Sequence, residues 1–293
     1  MNPLVRCGQA DSLFVGEYEG LQANIQSFID AEESSGHIAT ASIYFRDMYA
    51  GPWFGVNEHN TFIPASLFKV PLMIAVLKQA QDSPNLLSQK VEYSGSALAM
   101  PNVEGSEKTV IPGHVYTVND LLYKMIVYSD NASTDVLQGM MNQLDPSGNV
   151  LKKIFTDLGM ERTYQTGQLT AQSYAALFRI LYNARFLSLP LSQKALNLLS
   201  HSDYHDGLVA GVPHDIPVAH KFGVHNVSGD AVKQFHDCGI VYYPRRPYIL
   251  CIMTTGHDID KAVMFTAEIS RRVYAGVDAR VSASANPSAG DSK

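Results

Sequence analysis

The chain has little cysteine, no block of basic residues and no long apolar run, and each absence removes a class of function. Three cysteines, Cys7, Cys238 and Cys251, lack metal-type spacing and allow at most one disulfide. Cys7 falls in an N-terminal arm. Cys238 and Cys251 fall in expected strands, where the default is a buried free thiol acting as a small hydrophobe. The formal charge is −6, from 22 basic and 28 acidic residues, and with no basic cluster nucleic acid is excluded as a partner. No apolar stretch reaches transmembrane length. Met1-Asn2-Pro3 opens nothing like a signal peptide, so either the chain is cytoplasmic or an export segment has been removed. Internal repeats and a clear linker are also lacking.

What is present suits one large domain or two closely packed lobes, since 293 residues with 46% hydrophobic side chains can bury a sizeable core. Residues 1–19 read as an arm. Leu21, Ile25, Phe28 and Ile29 recur at helical spacing, and His37–Arg46 alternates as a strand returning through Trp53–Val56. Residues 81–116 read as irregular structure with a short strand pair. Helices follow over Leu121–Ile126, Ala132–Met141, Val150–Leu158, Thr170–Leu181 and Ser192–Leu199. Strands return at Val218–Phe222, Gln234–Tyr243 and Tyr248–Thr255, the last two joined by Pro244-Arg245-Arg246-Pro247. Asp258–Tyr274 closes as a helix, and the Ser/Ala/Asn/Gly tail 281–293 is expected to be disordered. Strands at both ends around a helical block predict an α+β fold: an antiparallel sheet flanked by helices in three α/β/α layers, plus an all-helical lobe. The expected domain is 20–280, with an α/β lobe at 20–65 and 215–280 and a helical lobe at 66–214. A cleft is expected where they meet.

The chain is organised around Thr61–Val76. Ser66 is expected to cap a helix whose following residues are apolar on nearly every face, and Lys69 leaves the same side of the first turn. A hydroxyl there meets the positive end of the helix dipole, and a lysine kept neutral can take its proton. A capped core helix with one snorkelling lysine is the plain alternative. Pro71 predicts a distorted first turn, not a break.

Two further motifs decide between these readings. Ser66-Leu67-Phe68-Lys69, Ser129-Asp130-Asn131 and Lys221-Phe222-Gly223 stand in one order. The set resembles the penicillin-recognising serine hydrolases, most closely the class A β-lactamase family, with its S-x-x-K, S-D-N and K-T-G motifs. Tyr128–Ala132 and Gly207–Pro213 resemble family segments too, and the likeness spans about Leu21 to Tyr274. The resemblance implies that Ser66 is the nucleophile, that Lys69 is its base, and that Ser129 passes a proton to the departing nitrogen. Burial and the nearby Lys221 would lower the pKa of Lys69. Asn131 would hold the substrate amide and orient Lys69, while Tyr128, Phe222, Gly223 and His225 would line the substrate site. Backbone N–H groups of Ser66 and Val224 would form the oxyanion hole, donors worth about 3–4 kcal/mol each. Asp130 would be structural.

Two departures bear on function. The glutamate motif E-x-x-L-N is missing: Leu158–Thr170 passes directly into the next helix, and its one carboxylate, Glu161, comes too early and suits a surface or capping role. Phe222 stands where K-T-G has threonine, the hydroxyl that helps hold a substrate carboxylate. His236 is a substitute for that role or, more simply, a histidine on a strand face. His201 and His205 have i, i+4 spacing without H-E-x-x-H, so neither metal nor cofactor is expected. The reading that follows is a monomeric serine hydrolase acting on a small molecule, first a slow class A-like β-lactamase. The alternatives are a D-Ala-D-Ala carboxypeptidase or penicillin-binding protein, and then an esterase or non-catalytic sensor. Such substrates imply a location outside the cytoplasm.

Overall fold

The computed structural model of the chain describes residues 18–95, 108–144, 147, 149–227 and 231–285. Cys7 and most of the N-terminal arm lie outside these. Helix α1 (Glu19–Ser34) buries Ile25 and Ile29, then strands β1 (Thr40–Asp47) and β2 (Trp53–Val56) form the first hairpin. Strand β3 (Thr61–Phe62) leads to a 3₁₀ turn, Ala65–Phe68, which runs straight into α2 (Lys69–Asp82). Pro71 therefore sits in the first regular turn, where a missing N–H costs least. From Val70 to Leu77 every side chain of α2 is buried, as its all-apolar sequence requires.

The helical lobe continues through the strand pair β4 (Lys90–Glu92) and β5 (Val115–Thr117), then α3 (Val118–Val127), α4 (Asn131–Leu144) and α5 (Asn149–Asp157). Thr117 and Asp120 cap α3 reciprocally. A short α6 (Glu161–Thr166) and strand β6 (Leu169–Thr170) precede α7 (Ala171–Tyr182) and α8 (Leu189–Ser200). The expected direct passage from Leu158 into the next helix is thus corrected. Local polarity hides α6, which is only 6 residues long, and β6 exists because it pairs with β3.

Strands β7 (Val218–His225), β8 (Lys233–Val241) and β9 (Tyr248–Gly256) complete an antiparallel sheet in the order β2-β1-β9-β8-β7. Its two faces follow the period of two. On β9, Tyr248, Leu250 and Ile252 pack toward α1 and the closing helix α9 (Ile259–Ala285), while Ile249, Cys251 and Met253 join the helical lobe's core. Three layers result. Helix α9 continues past Tyr274 to Ala285, so the first residues of the expected disordered tail are helical, held by Val277 and Val281 against the α1-side core. Residues 286–293 lie outside the description. Among the described residues no helix is long and apolar enough to cross a membrane.

The free-thiol expectation is overturned as well. Cys238 and Cys251 are exact register partners on β8 and β9, share the face toward the helical lobe, and form a disulfide. Hairpin register places them together, and a spacing of 13 residues does not reveal it without the turn geometry.

Candidate active site

Strand β7 ends the sheet and packs directly on the 3₁₀ turn that carries Ser66. A Cβ added at Gly223 would lie 3.0 Å from Pro64 O and 3.2 Å from Leu67 N, so only glycine permits this approach. The segment entering the turn is gripped from β8: Ile63 N–H donates to Gln234 Oε1 at 3.0 Å, and His236 Nε2–H donates to Ile63 O at 3.0 Å. From α7, Tyr174 O–H donates to Leu67 O at 3.0 Å. Ala65 is held at φ +48°, a conformation costing on the order of 1–3 kcal/mol that only such clamping sustains. Ser66 is half-buried inside this turn and does not cap it with its side chain, a correction to the expected N-cap role. The turn begins at Ala65, one residue earlier, because Pro64 and the Ile63 clamp set its entry.

Lys69 is buried, and its ammonium meets the Ser129–Asn131 corner. Its Nζ donates to Asn131 Oδ1 at 2.8 Å, to Ser129 Oγ at 3.1 Å, and to the Ser129 carbonyl. Burial lowers its pKa to about 7, against the opposing pull of Asp130 and Asp135. Lys221 is fully buried; its Nζ donates to Ser129 Oγ at 2.9 Å and to Phe222 O at 3.1 Å. Burial first, and the charge on Lys69 second, hold Lys221 well below the ordinary lysine range. The repulsion expected to depress Lys69 therefore falls on Lys221, the more deeply buried of the two.

Ser129 Oγ thus bridges two buried lysines. Its residue sits at φ +58°, like Ala65 a non-glycine residue in the left-handed region. Asp130 holds that corner in place: its Oδ2 accepts from Ser133 N–H at 2.8 Å, capping α4, and its Oδ1 accepts from Thr109 Oγ1 at 2.6 Å. One turn beyond Asn131 on α4 lies Asp135, a carboxylate the motif reading passes over. Its i, i+4 spacing from Asn131 is the signal that finds it. Partial desolvation raises its pKa while Lys69 opposes the shift.

The remaining candidates divide. Phe222 stacks on Tyr204 with centroids 3.9 Å apart, and Lys221 Nζ lies 4.1 Å from the Phe222 centroid. Tyr204, from the loop before β7, had no sequence signal. Val224 is exposed on the edge strand and His225 is half-buried beside it. Tyr128 is half-buried, edge-on to Tyr123, with Lys108 and Lys124 each 6.0 Å from its ring centroid. His236 is not a carboxylate binder: it is fully buried, its Nδ1 accepts from Thr254 N–H at 3.3 Å, and burial drives its pKa down to about 4. It is a neutral core histidine that positions Ile63. Glu161 is exposed in the first turn of α6 and accepts from Gln165 Nε2 at 3.2 Å. His201 Nδ1–H donates to Asn197 O at 2.8 Å, and His205 is exposed. Among the described residues no group of three or more His, Cys, Asp or Glu could hold a metal. Behind β7 a buried pair escaped the sequence reading: His220 Nδ1 lies 2.8 Å from Asp237 Oδ1, and Asp237 Oδ2 accepts from Leu208 N–H at 3.0 Å. It anchors the Gly207 turn, whose φ is +62°.

Comparison with known proteins shows the family and the fold. The family model described as "Beta-lactamase enzyme family" matches residues 20–277, nearly all of the chain. The chain belongs to the β-lactamase enzyme family. A curated relative, the β-lactamase regulatory protein BlaB of Streptomyces cacaoi, is 31% identical over 98 residues. That match covers 33% of this chain and only 31% of the relative's length. Among solved structures, a mutant of PBP-A captured as an acyl-enzyme complex with penicillin G superposes with a TM-score of 0.72 at 21% identity, over 88% of this chain and 96% of that one. A β-lactamase from Sphaerobacter thermophilus superposes with a TM-score of 0.74 at 20% identity, over 87% and 97%. At these identities the structures speak for the fold alone.

Proposed function

We propose that this family member forms an acyl-enzyme through Ser66 and hydrolyses β-lactams slowly. The observation that carries the reading is the Ser129 hydroxyl held between Lys69 and Lys221 at 3.1 and 2.9 Å. Neutral Lys69 takes the proton of Ser66, whose oxygen forms a bond to the substrate carbonyl. The C–N bond then breaks, and the departing nitrogen receives a proton from Ser129 Oγ, replenished from the lysines. Negative charge on the tetrahedral oxygen is met by the N–H groups of Ser66 and Val224. Water then cleaves the ester, releasing the acid and restoring Ser66.

The position of Glu161, exposed on α6, favours a second reading. With Glu161 in solvent and so not activating water at the ester, deacylation slows, and the protein behaves as a penicillin-binding protein or D-Ala-D-Ala carboxypeptidase. Asn131 binds the substrate amide in either case. The Cys238–Cys251 disulfide supports an oxidising location outside the cytoplasm.

Intact-mass spectrometry over time with benzylpenicillin, alongside an assay of free penicillin, separates the readings. A transient adduct with accumulating product supports the β-lactamase, and a stable adduct supports the penicillin-binding protein. No adduct overturns both. Glu161→Ala is expected to leave turnover within about twofold of the parent, as for a surface side chain. A trapped acyl-enzyme in that variant would instead make Glu161 the hydrolytic base.

A further inference from the structure

On the far side of α7 from the Ser66 turn, a groove of about 430 Å³ opens between α7 and the sheet. Ala175 and Ala176 form its α7 wall, and their small side chains leave the space. Arg46 enters from β1 and Arg179 from the last turn of α7. Among the described residues neither guanidinium has a carboxylate or hydrogen-bond partner, although the chain carries six more acidic than basic residues. No acidic side chain lines the groove. Its third wall is aromatic: Trp53, 42% exposed, stacks on Tyr44 with centroids 5.7 Å apart and planes 24° from parallel. Trp53 and Arg46 are register partners across β1 and β2, so ring and cation stand side by side.

Two unsatisfied guanidiniums beside an open aromatic face form a receptor of definite chemistry. Arginine donors suit the paired oxygens of a carboxylate or phosphate, and the Trp53 face suits a flat ring. We propose that this groove binds a small organic anion bearing a flat ring, its oxyanion bridging Arg46 and Arg179 and its ring lying on Trp53. None of the residues proposed for acylation takes part.

Trp53 is the chain's one tryptophan, so its fluorescence reports the groove directly. Phenyl phosphate and benzoate are titrated in turn with excitation at the red edge of tryptophan absorption, and calorimetry records the same titrations. Benzyl alcohol serves as the neutral control. Saturable binding of either anion is expected, with phenyl phosphate and benzoate telling a phosphate site from a carboxylate site. Arg46→Gln and Arg179→Gln are each expected to weaken binding about tenfold or more, with thermal unfolding unchanged because both side chains reach solvent. Ser66→Ala is expected to bind as the parent does, which keeps this result independent of the acylation reading. Absence of saturable binding by both anions, equal binding of benzyl alcohol, or undiminished affinity in the Arg46→Gln/Arg179→Gln double variant would overturn the proposal.

Discussion

Ser66→Ala is expected to abolish the benzylpenicillin adduct in intact-mass spectra and to lower hydrolysis by about 10⁴-fold or more, the scale on which losing a nucleophile acts. The mutation removes one oxygen and nothing else of consequence. Ser66 Oγ has no hydrogen-bond partner among the described residues, and the backbone of its turn is held by Ile63, Leu67 and Gly223 instead. Thermal stability should therefore stay within the small range of a substitution that breaks no contact. A folded Ser66→Ala protein that still gains the mass of benzylpenicillin would place the nucleophile elsewhere.

Lys69→Met is the second large effect, a loss of about 10²–10⁴-fold in the acylation rate, as for removal of a general base. Methionine keeps the length of the side chain but takes the donor from Ser129 and Asn131. The parent's pH profile tests the same point. Lys69 acts as a base only when neutral, and its pKa lies near 7, so acylation should rise with pH through about 7. Asp135 stabilises the charged form of Lys69 and raises that pKa. Asp135→Asn should therefore move the acid limb to lower pH. Stopped-flow acylation measured across pH decides both, and an acid limb that ignores Asp135 would detach it from Lys69.

The boundaries of most elements were legible because they follow local rules. Thr117 caps α3 through a purely local contact, since its hydroxyl needs only Asp120, three residues away. The continuous apolar run Tyr248–Met253 reads as a strand buried on both faces. Where the reading failed, the deciding partner lay far along the chain. The β6 strand exists because Leu169 meets Phe62, and α9 outlasts Tyr274 because Val277 and Val281 find the α1-side core. His236 was ambiguous until Ile63 O and Thr254 N–H used both ring nitrogens.

By itself the sequence carried the α+β pattern of strands at both ends around a helical block, and three motifs in one order whose resemblance pointed to the family, because periodicity and motif order are properties of the chain read along its length. Only the tertiary structure decided that Ser129 stands between Lys69 and Lys221, that Cys238 meets Cys251, that Glu161 faces solvent and that Arg46 and Arg179 share a groove with Trp53. Those are separations across strand register and helix packing, and electrostatics follows distance in space and burial from water, neither of which is written in the order of the residues.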